Sequence, residues 1–251
     1  MSYLKNDQSL IDAPLAPQSP IDVPPSGAAA SMARVYNRLG GLIRKTAAKV
    51  GGMQTAAALA AWQVESGGAE LIPGLALIRF ENHRFYKYWG SAHASDYDTH
   101  YQHGGHAGVA GESYQNHKFR KKESDDFAGF HGDQSKERRA LAWAITLSDE
   151  DTAFRSASIG GPQIMMDEHN LCGYASASDM YYAFQESERW HVLGFFDFCA
   201  HKPAPSVGQL IAYIGDKDWE NVARYYNGPA NVAAYAPKFA AAYETAVALG
   251  V

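Results

Sequence analysis

One acidic residue, Glu65, lies where the sequence predicts the end of a helix. Residues 57–64 are rich in strong helix formers, and Gly67 and Gly68 follow closely. Glycine just past a helix end adopts the left-handed conformation without a Cβ clash, so this pair predicts a C-cap. Glu65 then lies in the last turn, where the helix dipole disfavours its ionised form, and burial raises its pKa in the same direction. A carboxyl that stays protonated near neutral pH can serve as the general acid in glycoside cleavage. The alternative is an acid near a helix end with no catalytic role.

Two further segments combine turn residues with polar side chains that could contact a sugar. Residues 156–165 hold glycines that allow a backbone to approach a ligand closely, and Gln163 offers donors and acceptors for hydroxyl or acetamido groups. In residues 223–229 a predicted helix ends at Tyr226 and Asn227. A phenol there could hydrogen-bond to a catalytic carboxyl or to a substrate acetamide. Taken alone, each segment is an ordinary turn or helix stop.

The elements that position these residues are predicted to be mostly helical. From Ser31 onward, apolar residues recur at spacings of three and four, as on one face of a helix. A turn at residues 72–74 precedes an apolar run over 75–80 that predicts a strand, and the aromatic-rich residues 82–89 predict a helix. Residues 91–132, with six histidines, show no regular pattern, and such an insertion is often functional, for example as a groove wall. Further helix starts are predicted at Asp133, Ser178, Ser206 and Asp218.

Composition divides the chain and limits its partners. Residues 1–30 are predicted to be a proline-rich, flexible arm that packs little, and residues 31–251 a single domain. The net charge of -5 argues against nucleic acid or an anionic membrane as partner, and no window has the length of a membrane span. Residues 1–7 lack the pattern of a secretory signal, so we expect synthesis in the cytoplasm without a signal peptide. Two cysteines give no disulfide framework and no metal-binding spacing.

The order of the three segments resembles that of lysozyme-like enzymes: Glu-Ser-Gly, then Ser-x-Gly-x-x-Gln-Ile-Met, then Tyr-Asn-Gly. More specifically, residues from about 35 to 248 resemble the N-acetylmuramidase family of phage endolysins and bacterial cell-wall hydrolases. The matching segments are Val64–Gly68, Arg79–Tyr86, Ser158–Met165, Gly173–Ser176 and Tyr226–Gly228. The resemblance implies a mainly α (α+β), lysozyme-like fold with a small β element and a helical bundle. It also implies a peptidoglycan hydrolase that cleaves the β-1,4 bond between N-acetylmuramic acid and N-acetylglucosamine.

The resemblance also assigns roles to individual residues. Glu65 aligns with the catalytic acid of the family, and Glu81 is the candidate for the second carboxylate. The alternative for Glu81 is a structural partner of Arg79 or Arg84. Pro162 departs from the aromatic residue expected before the glutamine, so we expect the groove to differ in shape there. The residues expected to bind the sugar chain are Gln163, Ile164, Tyr226 and Asn227.

Two other functions remain open at this point. One is a lytic transglycosylase, in which the muramic 6-hydroxyl attacks and an anhydro product forms. The other is a non-catalytic wall-binding module of a phage or secretion particle. In each case the partner is the glycan strand of peptidoglycan, met in the periplasm or outside the cell after release or injection, and the N-terminal arm is where a delivery partner could bind.

The histidine-rich segment raises the question of a metal. His100, His103 and His106 recur at a spacing of three, with Asp96 and Asp98 nearby. Zinc sites usually place their ligands on rigid elements with a recognisable spacing, so the alternative is a polar loop over the groove. We therefore expect no metal and no cofactor.

Overall fold

A computed structural model describes residues 2–68, 72 and 74–251 of the chain. The α-helices are, in chain order, α1 (Gln8–Ile11), α2 (Gly27–Lys49), α3 (Thr55–Ser66), α4 (Asn82–Tyr88), α5 (Ala94–His100), α6 (Gln134–Leu147), α7 (Glu150–Phe154), α8 (Ala177–Glu186), α9 (Glu188–His201), α10 (Leu210–Asp216), α11 (Trp219–Tyr226) and α12 (Val232–Ala248). Short 3-10 helices cover Leu4–Asn6, Gly90–Ala92, Met166–Glu168 and Pro229–Asn231. Among the described residues, no helix combines the length and apolar character that crossing a membrane requires.

In the described part of the chain the strands are short and form three small antiparallel sheets. They are β1 (Ile78–Phe80), β2 (Tyr101–Gln102), β3 (Lys118–Phe119), β4 (Ala128–Gly129), β5 (Ala157–Ile159), β6 (Ile164–Met165), β7 (Pro203–Ala204) and β8 (Gly208–Gln209). Their order is β1-β5-β6 in one sheet, β2-β3-β4 in a second and β7-β8 in a third. The predicted mainly α fold with a small β element is confirmed.

The chain divides into two compact units, which are described separately. The first comprises the described part of residues 1–70 together with Leu171–Gly173 and Ser187–Val251. The second comprises the described part of residues 71–170 together with Tyr174–Glu186.

In the first unit, α3 packs against α2 and α12. Its residues from Ala56 to Trp62 are all buried, because small alanine side chains let neighbouring helices approach from several sides. The Trp62 ring meets Phe195 of α9 edge to face, with ring centroids 5.8 Å apart. The predicted apolar face beginning at Ser31 is confirmed in α2, where Met32, Val35, Leu39, Leu42 and Ile43 are buried.

The N-terminal segment is packed, so the expectation that it packs little is wrong. Leu4, Leu10 and Ala13 are buried. The Asp197 carboxylate of α9 accepts the backbone N–H of Leu4 at 2.6 Å and that of Lys5 at 3.1 Å. The five prolines predicted an extended segment, but the residues before Pro14 supply three side chains to the core, and Leu15 and Ile21 between the prolines are half-buried. A domain boundary at residue 31 stays a prediction, and α2 begins four residues earlier, at Gly27.

The second unit is built around aromatic side chains. Phe80 of β1 is fully buried and contacts the rings of Phe85, Tyr101 and Phe130. The predicted strand is real but shorter than expected, since only Ile78–Phe80 pairs, antiparallel to β5. Of the predicted turn at 72–74, residue 73 lies outside the described residues.

Two of the four predicted helix starts are confirmed. Asp133 caps α6 by accepting the N–H of Ser135 and Lys136, and Asp218 caps α11. Ser206 instead lies between β7 and β8 with a φ of 70°, ahead of α10. The long helix predicted from Ser178 is in fact two helices, because Ser187 interrupts it and caps α9.

Candidate active site

Glu65 is in the last turn of α3, as predicted. The helix ends because Gly67 takes a left-handed conformation, with φ 62° and ψ 7°. The Ser66 hydroxyl donates back to the carbonyl of Trp62 at 2.7 Å and accepts the N–H of Gly68 at 3.2 Å. These local hydrogen bonds fix the end of the helix, and with it the position from which the Glu65 side chain projects.

The Glu65 carboxyl is poised to exchange a proton near neutral pH. Burial raises its pKa from 4.5 to about 7, while the hydrogen bond from Asn227 and the positive charge of Lys238 act in the opposite direction. Desolvation is the largest of these effects. It raises the pKa because a charged carboxylate loses more hydration energy on burial than a neutral carboxyl does. Cys199 of α9 is fully buried, and burial and the charge of Glu65 both raise the pKa of its thiol.

Asn227 is the direct partner of Glu65. Its side-chain Nδ2 donates to both carboxylate oxygens, at 3.2 Å to Oε1 and 3.3 Å to Oε2. Asn227 occupies the C-cap of α11, and Gly228 follows with a φ of 96°, so the Asn-Gly-Pro helix stop is what aims the amide at Glu65. Its Oδ1 is buried and has no hydrogen-bond partner among the described residues.

Tyr226, the residue before Asn227, is half-buried in the same unit. Its ring packs against Phe195 and Phe198 of α9, with centroid distances of 5.7 and 5.5 Å. The structure therefore brings three predicted site residues into one unit: the acid and two residues at the end of α11.

Glu81 belongs to the second unit, just before α4. Its Oε1 accepts from Arg79 Nε at 2.7 Å. Its Oε2 lies 3.3 Å from His117 Nδ1 and 3.6 Å from His83 Nδ1. Of the two arginines predicted as structural partners, Arg79 contacts Glu81, whereas Arg84 binds Asp167 with Nη1 at 2.8 Å from Oδ2.

Gln163 and Ile164 lie in the β5–β6 hairpin of the second unit. Gln163 takes a left-handed conformation with φ 50°. Its amide is engaged internally: Oε1 accepts from Ser158 Oγ at 3.0 Å, and Nε2 donates to the carbonyl of Gly160 at 2.7 Å. Ile164 is 3% exposed, so its side chain belongs to the core. Sugar binding by these two residues stays a prediction, and Ile164 would have to contact the sugar through its backbone groups.

The histidine-rich segment forms a cluster that sequence spacing did not reveal. His117 and His131 approach Glu81, whereas His103 bonds to Tyr97 and His106 to Asp98. Burial lowers the pKa of His117 to about 4. The sequence offered little indication of this cluster, because His117 and His131 are 14 residues apart. The antiparallel pairing of β3 with β4 brings the start of β3 and the end of β4 together, and with them the two histidines.

A comparison with solved structures shows which known fold the chain shares. The chain is similar in structure to the endolysin of Burkholderia phage AP3, with a TM-score of 0.61 and 24% sequence identity over 83% of this chain and 70% of that chain. At this identity the likeness concerns the fold alone. A comparison with curated proteins found no match.

The sequence matches the N-acetylmuramidase family over residues 54–247, most of the chain. Together with the mainly α, lysozyme-like fold, this match supports a glycoside hydrolase that degrades peptidoglycan. The protein belongs to this family, so the expected resemblance is confirmed.

Proposed function

We propose that the protein hydrolyses the β-1,4 bond between N-acetylmuramic acid and N-acetylglucosamine, with Glu65 as general acid. The observation that carries the proposal is a single carboxyl, anchored by Asn227 at the end of α3, with a pKa of about 7. Near neutral pH such a group is protonated in a large fraction of molecules and still acidic enough to give its proton away. The site of action is the cell wall, reached after release or injection.

The proton transfer uses both the desolvation and the polar partners of Glu65. Glu65 protonates the bridging oxygen, the bond to the leaving sugar breaks, and the remaining ring develops oxocarbenium character. The carboxylate left behind receives two hydrogen bonds from Asn227 Nδ2 and the field of Lys238. Desolvation thus favours the proton-loaded form before the transfer, and these two partners stabilise the charge that appears after it.

Asn227 is proposed to bind substrate as well as Glu65. Its buried Oδ1 is a hydrogen-bond acceptor without a donor among the described residues, and such an atom is costly to leave unpaired. A sugar hydroxyl or an acetamido N–H would supply that donor. Tyr226, held by two phenylalanine rings, offers a rigid aromatic surface next to it.

Glu81 is proposed as the second carboxylate, which activates water or attacks the ring in a hydrolase. In a lytic transglycosylase the muramic 6-hydroxyl would attack instead. Mass spectrometry of digested peptidoglycan distinguishes the two reactions, because the anhydro product is lighter by one water. We expect the reducing product of hydrolysis and a loss of that product in Glu81→Gln.

The decisive experiment for the acid is Glu65→Gln, which keeps the side-chain volume and removes the transferable proton. The clearing of a purified wall suspension should slow by about 10²- to 10⁴-fold. The matched control is Glu244→Gln, on the exposed face of α12, which should clear walls as the unchanged protein does. Near-normal clearing by Glu65→Gln would reject the assignment. A protein that sediments with walls but never clears them would instead be a binding module.

A further inference from the structure

Glu81, His117 and His131 converge in the second unit from three different elements. Glu81 precedes α4, His117 precedes β3, and His131 follows β4. One potential ligand atom from each lies within 4.8 Å of the other two. His117 Nδ1 is 3.3 Å from Glu81 Oε2 and 2.8 Å from His131 Nε2.

The outward-facing nitrogens of both rings are also engaged. His131 Nδ1 lies 2.9 Å from Oε1 of the buried Glu137, whose other oxygen accepts the backbone N–H of Phe80. His117 Nε2 lies 2.9 Å from the backbone carbonyl of Ser113. An ionised carboxylate and a carbonyl can only accept, so each ring must carry its proton on the outward nitrogen to make these hydrogen bonds.

This arrangement leaves too few protons for the inner contacts. A neutral imidazole has one N–H, so rings that donate outward present bare lone pairs inward. Two such nitrogens then face each other at 2.8 Å, beside a carboxylate oxygen. The other tautomer of His117 would donate inward from Nδ1. His83 Nδ1, 3.3 Å from His117 Nε2, could then donate to that nitrogen. The Ser113 carbonyl would still face a lone pair of His117 Nε2. A metal ion among the three inward atoms satisfies these contacts with both rings neutral, whereas without one His117 would have to carry a second proton.

We propose that Glu81, His117 and His131 bind a divalent transition-metal ion of the zinc type. Two imidazoles and one carboxylate are a ligand set that zinc accepts, with water in the fourth position. Ligands about 2.0–2.1 Å from a tetrahedral zinc ion lie about 3.4 Å from one another. The Glu81–His117 distance of 3.3 Å already fits, and the His117–His131 distance must open slightly.

The surroundings match those of a metal site in two further respects. Metal-binding histidines usually donate their other N–H to a carboxylate or a backbone carbonyl, the two acceptors found here in Glu137 and Ser113. The His117 side chain is fully buried, while those of Glu81 and His131 are 13% and 23% exposed, which leaves one side open to water. The ion would join the loops around β3 and β4 to the start of α4.

Zinc binding to the tag-free, chelator-treated full chain tests the proposal. Isothermal titration with Zn²⁺ should show one ion per chain with submicromolar affinity. His131→Gln and Glu81→Gln should each weaken this binding by about 100-fold or more. Glu137→Gln retains an acceptor for His131 without its charge and should weaken binding by about 10- to 100-fold. His93→Gln is the matched control, because His93 contacts Trp89 and not the cluster, and its affinity should be unchanged.

Two results would overturn the proposal. The first is the absence of saturable zinc binding in the unchanged protein, which would identify the cluster as a hydrogen-bonded histidine network. The second is undiminished affinity in both His131→Gln and Glu81→Gln. If those variants fail to fold, the absorption spectrum of the Co²⁺-loaded unchanged protein decides, since a low-coordinate site gives intense visible bands and hydrated Co²⁺ does not. Binding is measured without peptidoglycan, so a negative result leaves the proposed glycosidase function untouched. A positive result leaves Glu65 as the acid but excludes Glu81 as the second carboxylate, because Oε1 is held by Arg79 and Oε2 would be bound to the ion.

Discussion

Replacing Glu65 by glutamine should slow wall clearing strongly and, above neutral pH, make the protein more stable. The native state raises the pKa of Glu65 from 4.5 to about 7. Between these two values the folded protein keeps a proton that the unfolded chain has lost, so the free energy of unfolding falls as the pH rises through this window. Below pH 4.5 both states are protonated and Glu65 costs nothing. Above pH 7 the folded state carries the full cost of a desolvated charge.

The size of this cost follows from the same two pKa values. Each pKa unit of difference corresponds to about 1.4 kcal/mol, which gives an upper bound of about 3.5 kcal/mol above pH 7. Glutamine has a similar volume, has no charge to desolvate, and can still accept a hydrogen bond from Asn227 Nδ2. We therefore compare the unfolding free energy of the variant with that of the unchanged protein at each pH. This difference should favour the variant by about 2–3 kcal/mol more at pH 8 than at pH 4.

Urea unfolding of both proteins at intervals from pH 4 to pH 8 measures this gain. Other titrating groups affect both proteins equally, so the difference between their unfolding free energies isolates Glu65. A difference that stays flat across this range would refute the reasoning, because Glu65 would then be ordinarily hydrated. So would an equal pH-dependent gain in Glu244→Gln, whose carboxyl is exposed.

Three further changes test other parts of the structure. Asn227→Ala removes a hydrogen bond that lowers the pKa of Glu65, so the alkaline limb of the kcat/KM profile should move to higher pH. Leu10→Ala removes a fully buried side chain of the N-terminal segment and should cost about 2–5 kcal/mol in urea unfolding. Gly67→Ala meets no neighbouring atom of the described residues but must adopt a φ of 62°, which should cost about 1–2 kcal/mol of thermal stability.

The two changes that test stability each have a matched control. For Leu10→Ala it is Val23→Ala, because Val23 is 43% exposed and its loss should cost less than about 0.5 kcal/mol. For Gly67→Ala it is Gly215→Ala, inside α10 with room for a methyl group, which should stabilise by about 0.5–1 kcal/mol. Equal effects of Leu10→Ala and Val23→Ala would contradict the packing of the N-terminal segment. Equal effects of Gly67→Ala and Gly215→Ala would contradict the strain at the end of α3. An unmoved alkaline limb in Asn227→Ala would contradict the coupling to Glu65.

Local sequence patterns were enough for much of the first unit. The apolar spacing of α2, the glycine stop of α3 and the Asn-Gly-Pro stop of α11 depend on neighbouring residues, which is why each prediction held. The long helix expected from Ser178 failed because its apolar spacing continues across Ser187, while the backbone does not. The N-terminal segment misled for a related reason, since proline content reports backbone stiffness and not whether Leu4 and Leu10, which precede the prolines, find a core.

The sequence by itself determined the helix that carries Glu65, the family and the type of chemistry, because these depend on short motifs and their order. Only the tertiary structure decided which groups surround the acid. Asn227 is 162 residues away in the chain, and its contact with Glu65 exists because α3 and α11 are folded into one unit. The same holds for Glu81, His117 and His131, whose convergence depends on strand pairing. Proton affinity and metal affinity are set by desolvation and by neighbours in space, and neither can be read from the order of residues along the chain.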